Sequence, residues 1–265
     1  MTLQNEEKRL FPQFADTLRY NWFPCSEIER RREEHCLADA IICASSFTKR
    51  TLIEVGVPPQ KVHVDPYGVD QGVFTASSEK YARFTVIWAG SYTQSKGIAY
   101  LLEALARKPV PDAQLLLAGY PYGADPVLTY EDRISVRRMG HVSREELGQV
   151  MGRCHAHVFP TLADGFGRNI IEAMSAGLPV VTTPNCAGPD LIEDGVTGFI
   201  VPVRDTVAIC ETLAWIHTHP DAAVEIGERA RHRVAGLTPE DYRRRFSDRI
   251  HSIWTTLCRL RGGAS

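Results

Sequence analysis

The sequence lacks most of the features that would place it at once. Its seven cysteines (25, 36, 43, 154, 186, 210 and 258) are scattered, odd in number and never spaced as C-x-x-C. That argues against a disulfide framework or a zinc ribbon and favours a reducing compartment. No run of 18 residues is apolar without a charge, so no segment reads as a membrane span. The opening MTLQNEEKRLFPQF has no basic stretch leading into an apolar one and does not read as a secretory signal. Neither charge dominates, with 30 Lys and Arg against 32 Asp and Glu for a net −2. A dedicated nucleic-acid binder shows a basic excess, so nucleic acid is not an expected partner. There is no G-x-G-x-x-G loop, no Walker A loop, no D-x-D, no internal repeat and no low-complexity tract. What remains is 44% hydrophobic over 265 residues. That is core enough for one large or two small domains, and it reads as a soluble cytoplasmic protein.

The pattern along the chain is alternation. Residues 1–25 read as irregular and are followed from Ser26 by a charged helix, SEIERRREEHCLA. The apolar run DAIICAS (39–45), a short helix at 46–55 and KVHVDPYGVD (61–70) form one strand–helix–strand unit. The polar, aperiodic 71–82 reads as a linker. Strands follow at 84–90, 114–119, 133–140, 155–160, 178–183 and 197–202, with helices at 96–107, 143–154 and 168–177; from 205 the chain is helical, with breaks at Pro220 and near Gly236–Pro239. Strands alternating with helices predict a doubly wound, Rossmann-like α/β domain with a parallel sheet. The expected division is 1–75 (partial N-terminal segment and linker), 76–238 (the Rossmann-like domain) and 239–265 (C-terminal helix).

In open α/β sheets ligands sit beyond the carboxyl ends of the strands, and the polar residues at those ends are the candidates. At Gly90-Ser91-Tyr92-Thr93-Gln94-Ser95-Lys96-Gly97 a strand ends in a small-residue loop and Lys96 opens a helix. Helix-end N–H groups and a full positive charge favour an anion there. Read alone, Lys96 is more readily a surface lysine at a helix start than an anion ligand. At 160–173 a strand again runs through a glycine turn into a helix, with Asp164 in the loop and Glu172 more than a turn into the helix. Carboxylates so placed accept hydrogen bonds from vicinal hydroxyls; the plainer reading is an N-capping Asp164 and a solvated Glu172. Gly177–Pro184 is a buried strand and tight loop of structural character. His155 and His157 share a strand face, but nothing at suitable spacing completes a metal site. Arg243-Arg244-Arg245 reads as the solvated face of a terminal helix.

At these residues a specific resemblance appears. FPTLADGFGRNIIEAMSAGLPVV (159–181) resembles the signature segment of the retaining GT-B glycosyltransferases of group 1 (family 4), an acid, seven residues, then Glu, inside a P-S-x-x-E-G-F-G…E-A-M-A-x-G-x-P-V-V frame. ADAIICASSFTKRTLIEVGVPPQKVHVDPYGVD, KGIAYLLEAL and LIEDGVTGFIVPVRD resemble three further segments of that family, in the right order from about 38 to 215. The resemblance implies a glycosyltransferase moving a sugar from a nucleotide-diphosphate donor to an unspecified acceptor with retention of configuration, without metal or cofactor. It further implies that Lys96 binds the diphosphate, that Gly90 and Ser91 lie in the phosphate loop and that the turn Gly165-Phe166-Gly167 offers backbone contacts. Asp164 would face the sugar hydroxyls, Glu172 would hold the ribose, and Gly140-His141-Val142 would pack the nucleobase. Lys96, Asp164 and Glu172 are the implied catalytic set.

Three departures stand out. Ser91 replaces the family's usual Arg, Asp164 replaces its usual Glu, and only the last strand–helix–strand of a GT-B first half precedes the linker. The alternative reading is therefore a donor-binding subunit, or a truncated remnant, that needs a partner protein or self-association in place of the rest. A nicotinamide-dependent oxidoreductase or epimerase would need the G-x-G-x-x-G run that is missing.

Overall fold

A computed structural model of the chain describes residues 3–21, 24–107, 110–121 and 125–262. The chain begins with α1 (Leu3–Leu10), a 3₁₀ helix over Pro12–Asn21, α2 (Cys25–Leu37), β1 (Ile41–Cys43), α3 (Ser46–Glu54) and β2 (Val62–Val64). It continues through β3 (Thr85–Ala89), a 3₁₀ turn at Gln94–Lys96, α4 (Ile98–Arg107), β4 (Gln114–Ala118), a 3₁₀ turn at Pro126–Tyr130, β5 (Ser135–Gly140), α5 (Arg144–Arg153) and β6 (Ala156–Phe159). Then come α6 (Arg168–Ser175), β7 (Val180–Thr182), α7 (Gly188–Leu191), β8 (Phe199–Ile200) and the helices α8 (Thr206–Thr218), α9 (Pro220–Val234) and α10 (Pro239–Gly262).

Six strands form one parallel sheet in the order β5-β4-β3-β6-β7-β8. Parallel neighbours cannot be joined by a hairpin, so crossover segments cover both faces and the strands read as continuous apolar runs. Along β3, Val86 and Trp88 enter one core layer with Leu101 of α4 and Leu213 of α8. Ile87 and Ala89 enter the other with Ile170 of α6 and Ala230 of α9. The strand order reverses between β3 and β6, so the chain leaves their carboxyl ends in opposite directions and a crevice opens there. A second, smaller parallel sheet pairs β1 with β2 across α3, as the strand–helix–strand reading predicts.

Three expectations change in the structure. Residues 1–25 are not irregular: α1 and the following 3₁₀ helix lie against the six-stranded unit, where Phe14 is fully buried beside Tyr92 and Tyr100 in the core. The helical period of that segment was hidden because its buried positions include a glutamate, Glu7. The stretch 71–82 holds no helix or strand, but it is strapped down. Phe74 is fully buried, its carbonyl accepts from Ser175 Oγ at 2.8 Å, and the Tyr81 N–H donates to the Arg153 carbonyl at 2.9 Å. The arginine run is only partly a solvated face. Arg243 and Arg244 pair with Glu240 and Asp241 on their own helix. Arg245, one helical step round, reaches back to the small sheet with Nη1 2.6 Å from Asp65 Oδ1 and Nη2 2.8 Å from the Pro66 carbonyl.

Candidate functional site

The carboxyl ends of β3 and β6 open onto a cleft of about 770 Å³. One wall comes from the six-stranded unit: Gly90 and Lys96 beyond β3, then Asp164, Gly165, Phe166, Gly167, Arg168, Asn169 and Glu172 beyond β6. The facing wall comes from the small sheet and its helix, through Ile41 to Ala44, Thr48 and Tyr67. The walls touch at one end. Ser45 Oγ and Thr48 Oγ1 both donate to the Gly165 carbonyl, at 2.6 and 3.0 Å, and the Tyr67 ring meets Phe166 edge-on at 5.0 Å.

The turn before α6 is built by Asp164. Its Oδ1 accepts from the N–H groups of Phe166 at 3.0 Å and Gly167 at 2.7 Å, which folds the loop back so that α6 begins on the cleft. The plainer sequence reading, a turn-forming Asp164, therefore holds for one oxygen; Oδ2 has no hydrogen-bond partner among the described residues. Gly167 takes a left-handed φ of +78° as the N-cap, a conformation that strains any side chain, and a Cβ there would press on Ile170 Cδ1 at 2.9 Å. Among the described residues no side chain caps this helix, so its positive end faces the cleft uncapped.

Glu172 is not solvated: it is 7% exposed. Arg144 Nη1 donates to its Oε1 at 2.9 Å, and Oε2 has no partner among the described residues. Burial pushes the Glu172 carboxyl above its ordinary range, with Arg144 and Arg168 pulling the other way. The result is a desolvated carboxylate with one oxygen fixed and one open, suited to accepting from hydroxyl groups. Beside it, Asn169 Nδ2 donates to the Ala89 carbonyl at 2.9 Å. This bond ties the start of α6 to the end of β3.

The phosphate-loop candidate is equally well defined. Lys96 ends the 3₁₀ turn and Gly97 follows with φ +78°. A Cβ on Gly97 would collide with the Pro160 carbonyl, so the loop beyond β3 presses directly on the end of β6. The Ser95 carbonyl accepts from the Leu162 N–H at 3.0 Å and from Thr161 Oγ1 at 3.2 Å, stitching the two loops. The Lys96 ammonium swings back over Gly90, where a Cβ would lie 3.4 Å from Nζ, and it makes no ion pair among the described residues.

The cleft thus gathers Gly90, Lys96, Asp164, Gly165, Phe166, Gly167 and Glu172. Ser91, Gly140, His141 and Val142 do not line it. The last three end β5 two strands away, with the Gly140 carbonyl accepting from the Gly119 N–H at 2.8 Å. His157 is wholly buried with Nδ1 3.0 Å from the Ile87 carbonyl, and His155 Nδ1 accepts from the Thr85 N–H at 3.0 Å, so both side chains serve the sheet. Sequence reasoning missed Arg144, Asn169, Thr48 and Tyr67. Applying the strand-end rule to β1 and β2 as well would have flagged Thr48 and Tyr67. Arg144 carries no signal beyond sitting after the Ser143 N-cap.

Residues 83–219 match the family described as Glycosyl transferases group 1. Over 219 residues the chain is 26% identical to the MMP alpha-(1->4)-mannosyltransferase of Mycolicibacterium hassiacum, covering 80% of this chain and 53% of that protein. It is also 26% identical to the alpha-maltose-1-phosphate synthase of Mycolicibacterium smegmatis, over 89% of this chain and 70% of that one. The chain spans about half the length of several curated relatives it matches. Among solved structures, Anabaena Alr3699/HepE in complex with UDP and glucose superposes with a TM-score of 0.76 at 18% identity, covering 87% of this chain and 68% of that one. No described helix is long and apolar enough to cross a membrane.

Proposed function

The chain belongs to the group 1 glycosyltransferases, and from that membership we propose that its cleft binds a nucleotide-diphosphate sugar and transfers the sugar with retention of anomeric configuration. The observation that carries this reading is the meeting, across one crevice, of an unpaired lysine, an uncapped helix start and a buried carboxylate with one open oxygen. Lys96 and the N-terminal end of α6 receive the diphosphate, and Lys96 stabilises its charge as the bond to the sugar breaks, an interaction stronger in the transition state than before it. Glu172 accepts from the ribose hydroxyls, held in orientation by Arg144. Asp164 uses Oδ1 to hold the turn and presents Oδ2 to the sugar. The departing diphosphate takes the acceptor's proton, so no protein base is required. Lys96 and Arg168 together balance the diphosphate charge, and no metal is needed. The HepE complex with UDP and glucose supports a nucleoside diphosphate as the class of donor.

The test is transfer or hydrolysis from UDP-, GDP- and ADP-hexoses, followed as released nucleoside diphosphate with the product anomer read by NMR. Lys96→Ala and Glu172→Ala are each expected to lower turnover at least about 100-fold, the scale of removing one preorganised electrostatic contact. EDTA is expected to leave the rate unchanged. Turnover that survives both substitutions would sink the assignment.

A second reading is a donor-binding chain that works only with a separate acceptor-binding partner or a second copy. It is favoured by the facing wall, where the small sheet has only two strands and Leu37 and Trp254 are 83% and 64% exposed. Nucleotide binding without turnover, restored by a partner, distinguishes it.

A further inference from the structure

The Lys96 loop does not hold its own shape alone; part of its support comes from a segment near the start of the sequence, 77 to 87 residues earlier. Gln94, two residues before Lys96, is fully buried and uses three of its groups. Its backbone N–H donates to Thr17 Oγ1 at 3.0 Å, its Nε2 donates to Glu7 Oε2 at 2.6 Å, and its Oε1 accepts from the Ala99 N–H at the start of α4 at 3.2 Å. Glu7 is itself wholly buried and accepts from Tyr100 Oη at 2.9 Å and Arg204 Nε at 2.7 Å. Thr17 is oriented by donating to the Phe14 carbonyl at 2.7 Å. Arg204 makes its contact from a left-handed backbone conformation, φ +70°, which a non-glycine residue keeps only when its surroundings hold it there.

A buried carboxylate surrounded by three donor atoms is costly to place and has a defined geometry. A segment whose sole task was to cover apolar surface would not need it. The bonds that Glu7 and Thr17 make to the phosphate loop both end on Gln94, whose carbonyl in turn accepts from the Gly97 N–H at 2.9 Å. Gln94 and Gly97 bracket the turn that aims Lys96.

We propose that Glu7 and Thr17 are positioning residues for the donor diphosphate: the segment 3–18 is a brace that fixes Gln94 and thereby holds Lys96 over the Gly90 end of β3. The inference rests on the reading of Lys96 as the diphosphate ligand. It goes beyond that reading by making a remote segment of the chain part of the site.

The experiment is a double-mutant cycle read by equilibrium binding, with UDP, GDP and ADP as probes and the matching nucleosides as controls. Glu7→Gln keeps the shape but turns an amide toward three donors. Thr17→Val removes the acceptor for the Gln94 N–H together with the hydroxyl's own bond to the Phe14 carbonyl, and serves where Glu7→Gln folds poorly. Each variant is expected to weaken the bound diphosphate about 10-fold and to leave the nucleoside's affinity unchanged. Each should have no further effect in a Lys96→Ala background. Equal loss for nucleoside and diphosphate, or full additivity with Lys96→Ala, overturns the brace while leaving the functional reading intact. A parent chain that binds none of the diphosphates, or binds them equally well as Lys96→Ala, overturns the functional reading and the brace with it.

Discussion

Glu172 is the residue at which stability and function pull apart. Its carboxyl is raised by burial, so folding favours its protonated form. The stabilising contribution is therefore fully present below the ordinary carboxylate range and is lost as pH rises through the raised value. Glu172→Gln is accordingly expected to raise Tm at pH 8 while weakening nucleoside diphosphate binding by about 10- to 100-fold, the range of a hydrogen bond to a charged group. Thermal melts and calorimetry on the same protein check both signs. His157 works the other way. Burial lowers it from 6.5 to about 4, so between those values the unfolded chain takes up a proton that the folded chain refuses. Stability is lost as pH falls through that window, by about 3 kcal/mol in all. His157→Asn should flatten the urea midpoint against pH between 4 and 6.5. Which residues line the cleft was partly legible beforehand. Lys96, Asp164 and Glu172 lie in two recognisable loop-to-helix segments, and all three line the cleft. Arg144 and Asn169 were not legible, because their roles depend on contacts 28 and 80 residues away that no local pattern records.

At the scale of elements, the cleft depends on two loops pressed together. Gly97 is the tightest point: its left-handed φ and the Pro160 carbonyl both exclude a side chain. Gly97→Ala must therefore move the Lys96 turn or the end of β6. The expected result is a stability loss of about 1–3 kcal/mol, with diphosphate affinity falling more than nucleoside affinity, measured by denaturant titration and calorimetry. The alternation of strands and helices was readable because strands buried on both faces carry unbroken apolar runs such as FTVIWAG and QLLLAG. Strand ends shifted by one or two residues, as hydrogen-bond ladders end before apolar runs do; the exception is the 61–70 candidate, whose strand ends already at Val64. The N-terminal helix was not readable, because α1 docks partly through the ion pairs of Glu6 and Glu7 with Arg204 and not through an apolar stripe alone.

For the whole molecule, the question is how the small sheet is held against the six-stranded unit. The strap 71–82 joins them covalently, Ser45 and Thr48 bond to Gly165, and α10 returns through Arg245 to Asp65, which is 2% exposed. Removing Arg245 leaves a buried carboxylate without its partner, and Arg245→Ala is expected to cost about 3 kcal/mol. It should make the chain cleavable by protease near the strap at concentrations the parent resists. The topology was legible in outline, since the order of strands and helices implies a doubly wound sheet and the resemblance implies its fold. That residues 3–18 pack against the six-stranded unit was not, because contacts between residues 77 to 198 positions apart leave no trace in local spacing.

The central claim is that Lys96 and Glu172 close one nucleoside diphosphate site, and a thermal-shift titration with UDP, GDP, ADP and NAD addresses it most directly. A ligand at 100 times its Kd stabilises the fold by about 2.7 kcal/mol, a readily measured rise in Tm. The expected result is a shift with one nucleoside diphosphate and none with NAD, abolished by Lys96→Ala and by Glu172→Ala. No shift with any diphosphate, or a shift that both variants retain, would contradict it.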